Sequence, residues 1–281
     1  MSASAGSAAG ARRVRLTLEF DGTDFHGWQW QPTGERTVQG ALHHAIARLP
    51  GVHGSVVAAG RTDAGVHALA MVAHVDTTTA IPDEKLRLAL NAHLPRDVLV
   101  LDLETVRSDF EAQYDCRYRR YLYRLRPARD DPRGLALERH RVLPVLRRLD
   151  VPAMQAATHH LVGRHDFSSF ATQETRTPVR TVHLCALRVD GAELRLHVAG
   201  DGFLRNMVRT IVGTLLWVGK GKLRPEEVAD VLAARDRARA GPNVGPQGLF
   251  FVEAGYEAWD VAVSERRAAA RAPGAAAAPP A

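Results

Sequence analysis

The sequence predicts an α+β protein made of two successive halves, each with helices packed on one face of a mainly antiparallel sheet. Segments with the two-residue period of strands alternate with segments of helical period along most of the chain. A stretch rich in Arg, Asp and Pro, residues 127–144, separates the two groups of segments. The length of 281 residues also suits two cores better than one. A basic cleft between the halves is the expected substrate site.

Both periodicities are clear in the first half. Val14 and Leu16 alternate with polar neighbours, as residues of a half-buried strand do. Val38, Leu42 and Ile46 recur at helical spacing, and a Pro-Gly pair ends that helix. The predicted elements are strands over 14–20, 56–59, 71–75, 98–106 and 116–126, and helices over 37–49 and 83–94.

The second half shows a hairpin and a long apolar segment. The Asp-Gly pair at residues 190–191 marks the turn between two strands. The apolar run over residues 203–219 is typical of a buried helix. The predicted elements are helices over 151–161, 203–219 and 226–237, and strands over 182–189, 194–198 and 249–252.

The order of these elements predicts the domain boundaries. A first α+β subdomain is expected at residues 12–128 and a second at residues 129–262. Residues 1–11 and 263–281 are poor in large apolar side chains and rich in Ala. Such segments bury too little surface to offset their ordering entropy, so both are predicted to be disordered tails.

The bulk properties favour a cytoplasmic protein with an anionic partner. The net charge is +6, and Lys and Arg bind a phosphate backbone by releasing its counterions. The alternative is a solvated surface with spare arginines. Cys116 and Cys185 are isolated from each other, which is typical of a reducing compartment. No signal peptide is recognised, and two arginines interrupt the longest apolar run, so no membrane partner is predicted.

The strongest chemical motif is the string AGRTDAGVHA at residues 59–68, which lies between two short predicted strands. Gly60 and Gly65 bracket Asp63, and glycine permits backbone geometry that holds such a side chain out at a loop tip. A carboxylate there can serve as a nucleophile or a base. The alternative is an ordinary Asp-Ala-Gly turn whose aspartate bonds its own backbone.

Cations and aromatic rings recur in two other segments. Alternation along the strand over 116–126 places Arg119, Tyr121 and Tyr123 on one face, where rings can stack on RNA bases while Arg holds phosphate. On the helix predicted over 203–219, Arg205 and Arg209 are four residues apart and share a face. The alternatives are an aromatic core on the strand and arginines that extend to water on the helix.

The string at residues 59–68 resembles the signature of the TruA family of tRNA pseudouridine synthases. Other segments resemble that family in the same order and at similar spacing, over about residues 13–256. A chance match to an ordered series of this kind is rare. These segments are residues 20–29, 36–40, 91–95, 117–123, 167–170, 176–178, 202–209 and 248–249.

The resemblance implies a fold, an activity and partners. It implies two tandem ferredoxin-like subdomains, and a homodimer that binds tRNA. The implied activity is the isomerisation of uridine to pseudouridine at positions 38, 39 and 40 of the anticodon stem-loop. That reaction needs no cofactor and no metal. The adjacent histidine pairs His43-His44 and His159-His160 lack metal-ligand spacing, so no metal site is predicted from them.

The resemblance also assigns roles to residues. Asp63 is the catalytic carboxylate, which attacks the uridine at C6 of the base or at C1′ of the ribose. Arg209 pairs with Asp63, because a carboxylate that must stay ionised needs a cation nearby. Tyr121 stacks on the target base and helps to remove its C5 proton, and Arg61 helps to extrude the nucleotide. The predicted substrate-binding set is Arg61, Tyr121, Arg119, His67 and Arg205.

One segment departs from the family pattern. Residues 110–114 read Phe-Glu-Ala-Gln-Tyr where the family usually has Phe-His-Ala-Arg-Phe, so Glu111 and Gln113 replace basic residues. Weaker contact with the tRNA backbone is expected there. Two alternative functions stay open at this point. One is a catalytically silent RNA-binding protein, and the other is a pseudouridine synthase that acts on a different RNA.

Overall fold

A computed structural model describes residues 10–172 and 177–271 of the chain. The strands are β1 (Arg12–Phe20), β2 (Val52–Ala58), β3 (His67–Thr77), β4 (Val98–Val106), β5 (Tyr118–Pro127), β6 (Leu143–Val145), β7 (Gly163–Asp166), β8 (Val179–Asp190), β9 (Glu193–Gly200) and β10 (Leu249–Gly255). The helices are α1 (Val38–Ile46), α2 (Asp83–His93), α3 (Val151–Thr158), α4 (Met207–Gly219), α5 (Glu227–Ala234) and α6 (Val261–Ala270).

The ten strands of the described residues form one sheet. Its main order is β4-β1-β3-β10-β5-β9-β8-β7, with β2 paired to β3 and β6 paired to β5. Most pairs are antiparallel, and the parallel pairs are β3–β10 and β5–β6. The predicted α+β class, a mainly antiparallel sheet flanked by helices, is therefore confirmed. The strands of the two predicted halves are continuous, because β10 lies between β3 and β5.

The pairing along β3 determines where the glycine-bracketed motif at residues 59–68 emerges. One edge of β3 pairs with β1, and the other edge is shared by two strands. Here β2 pairs as far as Ala58 opposite Ala73, and β10 pairs opposite His67 and Ala68. The chain leaves β2 at this change of partner and returns as β3. The loop that carries Asp63 therefore opens at the centre of the sheet and not at its rim.

Helix α4 begins later than predicted. It starts at Met207, whereas the apolar run predicted a start at residue 203. Asn206 has a φ of 62°, a left-handed conformation that asparagine adopts more readily than most residues and that interrupts the helix. Arg205 precedes the helix, so the expectation that it shares a helical face with Arg209 is wrong. Strands β6 and β7, of three and four residues, were not predicted.

The prediction of disorder from residue 263 is wrong for the first part of that segment, where the chain forms α6. Asp260 caps this helix by accepting a hydrogen bond from the backbone N–H of Val263 at 3.0 Å. Residues 1–9, 173–176 and 272–281 lie outside the described residues. The predicted disorder at both ends and part of the Arg-Thr-Pro segment at 176–178 fall there.

Polar contacts hold α6 against the back of the sheet, and they explain why an apolar pattern did not predict the helix. The hydroxyl of Ser264 is buried, accepts from Arg120 Nη1 at 3.0 Å and donates to Glu253 Oε2 at 3.0 Å. Arg120 is fully buried and also donates to Glu265 Oε1 at 3.1 Å. Burial, helped by the charge of Arg120, lowers the pKa of His197 to about 4, so its neutral ring accepts from that arginine.

Removal of the Ser264 hydroxyl should destabilise the protein. We expect Ser264→Ala to lower the free energy of unfolding by about 1–3 kcal/mol, because a buried arginine and a buried carboxylate each lose a partner. Arg266→Ala, at an exposed position of the same helix, should change it by less than about 0.5 kcal/mol. Urea denaturation of both variants measures the difference. Equal values would show that α6 does not dock through this network.

Candidate active site

A cleft of about 1450 Å³ lies on the face of the sheet opposite α6. Its walls come from the loop after β2, from β5, from the turn after β9 and from the first turn of α4. Six of the seven predicted site residues line it, and the seventh, His67, does not. The six are Arg61, Asp63, Arg119, Tyr121, Arg205 and Arg209.

The opening segment of the chain holds the loop that carries Asp63. The backbone N–H of Trp28 donates to the carbonyl of Thr62 at 3.0 Å, and that of Gly65 donates to the carbonyl of Phe25 at 3.2 Å. These bonds lie on either side of Asp63 in sequence. The loop is therefore fixed by backbone contacts, and the carboxylate projects from a rigid support.

The two glycines that bracket Asp63 differ in whether the structure requires glycine at their positions. Gly65 has a φ of 76°, and a β-carbon there would lie 2.8 Å from Pro246 Cγ, so both conformation and space require glycine. Gly60 is not among the glycines with positive φ in the described residues. A β-carbon at Gly60 would meet Phe251, 3.7 Å away, and other neighbours at ordinary contact distances. The expectation of special backbone geometry thus holds for Gly65 and not for Gly60.

Asp63 and Arg209 form an ion pair in the cleft. Arg209 Nη1 lies 3.2 Å from Asp63 Oδ2 and 2.7 Å from Asn206 Oδ1. Arg209 Nε donates to the carbonyl of Val244 at 2.7 Å. Only 14% of the Arg209 side chain is exposed, whereas 33% of the Asp63 side chain is. The cation is thus held by protein groups while the carboxylate stays accessible to a substrate.

Asn206 is a part of this arrangement that the sequence analysis did not assign. Its amide oxygen accepts from Arg209, and its Nδ2 donates to Thr172 Oγ1 at 2.7 Å. The left-handed backbone of Asn206 turns its side chain beside the start of α4. The signal in the sequence was an asparagine inside the apolar run over residues 203–219, since asparagine is enriched in this conformation.

Tyr121 lies at the floor of the cleft. Its ring packs edge-on against Phe203 and Phe251, with centroids 5.0 and 5.3 Å away, and 8% of the residue is exposed. Burial raises the pKa of Tyr121, the charge of Arg119 opposes that rise, and the charge of Asp63 adds to it. The phenol is therefore neutral at physiological pH.

The other three arginines that the sequence predicted for the site differ in their surroundings. Arg61 is exposed and makes no hydrogen bond or ion pair with the part of the chain that the structure describes. Arg205 is exposed on the opposite wall, just before α4. Arg119 is half-buried, and its guanidinium donates to backbone carbonyls of the protein. The prediction that Arg119 holds phosphate therefore does not match its contacts.

His67 is buried on the other side of the sheet, which contradicts its prediction as a substrate-binding residue. It is 2% exposed, and its ring stacks on Phe250 with a centroid distance of 4.7 Å. Its Nδ1 accepts from the N–H of Gly22 at 3.1 Å, and its Nε2 lies 2.6 Å from the carbonyl oxygen of His140. Burial lowers the pKa of His67, so the neutral ring donates through Nε2 to that carbonyl.

No group of three or more His, Cys, Asp or Glu side chains is placed to hold a metal ion within residues 10–172 and 177–271. In the same ranges, no helix is long and apolar enough to cross a membrane. Cys116 and Cys185 are both buried and unpaired.

Several known proteins are similar in sequence to this chain over most of its length. A tRNA pseudouridine synthase A from Thermus thermophilus is 48% identical over 251 residues, which cover 87% of this chain and 97% of the relative. The protein of that name from Afipia carboxidovorans is 42% identical over 247 residues, with 87% and 99% covered. The one from Acetivibrio thermocellus is 40% identical over 247 residues, with 87% and 100% covered.

These matches, with the cleft and its loop-borne aspartate, define the chain as an RNA-modifying isomerase. A family model described as tRNA pseudouridine synthase matches residues 17–118 and 157–257, which is more than half of the sequence. The chain belongs to the tRNA pseudouridine synthase family. It is therefore an isomerase that acts on tRNA.

The neutral state of Tyr121 predicts how the reaction rate depends on pH. Because its pKa is raised above the usual value of about 10, the phenol does not ionise between about pH 7 and pH 10. The pH–rate profiles of the wild type and of Tyr121→Phe should therefore have the same shape in that range. Initial rates of uridine isomerisation in a series of buffers test this. A basic limb that is present in the wild type and absent in Tyr121→Phe would contradict it.

Proposed function

We propose that the chain converts uridines 38, 39 and 40 of the tRNA anticodon stem-loop to pseudouridine, with Asp63 as the nucleophile. The observation that carries the assignment of Asp63 is its contact with Arg209 in the cleft. A carboxylate that attacks must be ionised and accessible, and this one is 33% exposed beside a cation that is 14% exposed. The family to which the chain belongs, and its relatives named tRNA pseudouridine synthase A, support the substrate.

The reaction conserves the atomic composition of the uridine, although the hydrogen at C5 is exchanged for a proton at N1. The carboxylate of Asp63 attacks at C6 of the base or at C1′ of the ribose, and the bond between C1′ and N1 breaks. The uracil rotates, and a bond forms between C1′ and C5. The proton leaves C5, N1 gains a proton, and the carboxylate is released. Both points of attack need one ionised carboxylate and room for the base to turn.

We assign Tyr121 to base stacking and not to proton removal. A neutral phenol is a weak base, and burial keeps this phenol neutral. The ring lies at the floor of the cleft between Phe203 and Phe251, whose edge-on packing holds its orientation. A fixed aromatic ring can stack on an extruded base and retain it while the glycosidic bond is broken.

Arg61 is well placed to extrude the target nucleotide. A base in a stem must leave the helical stack before it can react, which costs a few kcal/mol. Arg61 lies two residues before Asp63, is exposed to the cleft and keeps its donors available. Its guanidinium can bond phosphate or fill the space that the base leaves. We assign Arg205, on the opposite wall, to a backbone contact with the RNA.

We further propose that the enzyme is a cytoplasmic homodimer. The two buried, unpaired cysteines support a reducing compartment. The dimer rests on the family resemblance, since two copies would extend the basic surface available to one tRNA. Light scattering coupled to gel filtration measures the mass in solution, and a monomer at micromolar concentration would contradict the dimer.

Loss of the Asp63 carboxylate should abolish the reaction. We expect Asp63→Asn to release tritium from C5-labelled uridine in unmodified tRNA at least about 1000-fold more slowly than the wild type. Binding of tRNA and the unfolding midpoint should stay close to wild type, because the asparagine is isosteric. Asp24→Asn, an exposed aspartate outside the cleft, is the matched control and should keep full activity.

The outcomes separate the competing functions. Full activity of Asp63→Asn would remove that residue from its role. No tritium release by the wild type, with tRNA still bound, would favour a silent RNA-binding protein or a different RNA substrate. Sequencing of the product after chemical labelling of pseudouridine maps the modified positions, and modification outside 38–40 would overturn the assigned site.

Arg61 should contribute one ionic contact with RNA. We expect Arg61→Gln to weaken tRNA binding and to reduce the slope of log affinity against log salt by about 0.7–1. Lys222→Gln is a control with the same loss of charge. Lys222 lies beyond the far end of α4, about 20 Å along that helix from the cleft. An unchanged slope for Arg61→Gln would exclude the phosphate contact.

A further inference from the structure

We propose that Arg119 is a positioning residue, which clamps the loop of Asp63 to the opposite wall of the cleft and makes no direct contact with RNA. This inference rests on the proposed function, because it concerns where the catalytic carboxylate is held. The strand pattern suggested the opposite role, a cation that binds phosphate. The contacts of the guanidinium group decide between the two.

All five N–H donors of the Arg119 guanidinium are in use. Nε and Nη2 donate to the carbonyl of Ala59 at 2.9 and 2.7 Å. The second Nη2 donor reaches the carbonyl of Gln113 at 2.9 Å. Nη1 donates to the carbonyls of Asp201 at 2.8 Å and of Cys116 at 3.3 Å. Since a guanidinium has five such donors and no acceptor, none is left for a phosphate oxygen.

The four carbonyls belong to three segments around the cleft, at Ala59, at Gln113 and Cys116, and at Asp201. Ala59 lies four residues before Asp63, at the point where the chain leaves the edge of β3. Asp201 begins the turn after β9 and lies two residues before Phe203, whose ring packs on Tyr121. One planar group therefore joins the support of the nucleophile to the support of the stacking ring.

The turn at Asp201 is itself fixed, so the clamp has a firm anchor. Its N–H donates to the carbonyl of Thr181 at 3.0 Å, and its Oδ1 accepts from the N–H of Thr181 at 3.0 Å. The two segments that Arg119 joins, the loop at Ala59 and the turn at Asp201, are thus both bonded to strands of the sheet. Loss of the clamp would remove the bonds that join the loop at Ala59 to the turn at Asp201, while the bonds of that turn to Thr181 stayed in place.

Lysine cannot replace this arrangement. An ammonium group is a compact charge with three donors, whereas the guanidinium is a planar fork that reaches several directions at once. Lysine does serve as a phosphate ligand. Arg119→Lys therefore keeps the charge and removes the clamp, which separates the two roles in a single variant.

The test compares Arg119→Lys with Arg117→Lys. Arg117 is exposed, lies two residues earlier in the chain and does not line the cleft, so it is a matched control. For each protein we would measure single-turnover tritium release at saturating enzyme, the Kd for tRNA, and the salt dependence of that Kd. Thermal unfolding midpoints report whether the variants fold.

For Arg119→Lys we expect the single-turnover rate constant to fall by about 100-fold, the loss that a displacement of the reacting groups by 1 Å can cause. The Kd should change by less than about threefold and its salt slope should stay as in the wild type, because no ionic contact is lost. Arg117→Lys should match the wild type in every measurement. A normal rate constant for Arg119→Lys, or a reduced salt slope, would overturn the proposal.

A second measurement is made on the wild type, and a variant serves only to assign its signals. In ¹⁵N-labelled protein without tRNA, a clamped guanidinium should give separate Nη–H signals, because rotation about its bonds is blocked. The Arg119→Lys spectrum, or a neighbouring substitution, assigns them. One averaged signal in the free protein, or a large shift on addition of tRNA, would contradict the clamp. If the wild type released no tritium, the proposed function would fail, and these spectra would still decide the role of Arg119.

Discussion

The change of partner along one edge of β3 is the constraint on which the site depends. Because β2 gives way to β10 there, the sheet continues while the chain between β2 and β3 is free to form a loop. The loop opens in the middle of a ten-stranded sheet, so the strands and helices of both halves can contact it. Asp63 can therefore meet Arg209, which is 146 residues away in sequence, without any long insertion.

Strand β5 contributes side chains to both faces of the sheet. One face carries Arg119 and Tyr121 into the cleft, and the other carries Tyr118 and Arg120 to the contacts beneath α6. Around Glu253 the back face is polar, and this carboxylate accepts from Tyr118, Ser264 and Arg267. Buried networks of this kind allow few alternative packings, so they favour one register of β5. The register of β5 in turn determines the position of the Tyr121 ring along the floor of the cleft.

Sequence reasoning predicted those parts of the structure that leave a local pattern. The alternation in β5 and the glycine-bracketed aspartate were predicted, because side-chain period and turn chemistry are properties of short segments. Helix α6 was not predicted, since its anchor at Ser264 is one hydroxyl that meets residues distant in sequence. The burial of His67 was likewise not predicted, because the sequence of a motif does not indicate whether its histidine faces a substrate or the core.

Arg119 shows the general limit most clearly. Its partners are four backbone carbonyls, and a carbonyl is present at every residue, so no sequence pattern marks the ones that meet it. Three arginines of the cleft therefore differ in their partners: Arg209 faces a carboxylate, Arg119 is saturated by backbone carbonyls, and Arg61 bonds none of the described residues. A count of positive residues alone would assign RNA binding to all three arginines. Only donors that the protein leaves unused can bond phosphate, so the cleft offers fewer direct ionic contacts than its charge suggests, and its remaining charge acts on RNA through the field alone.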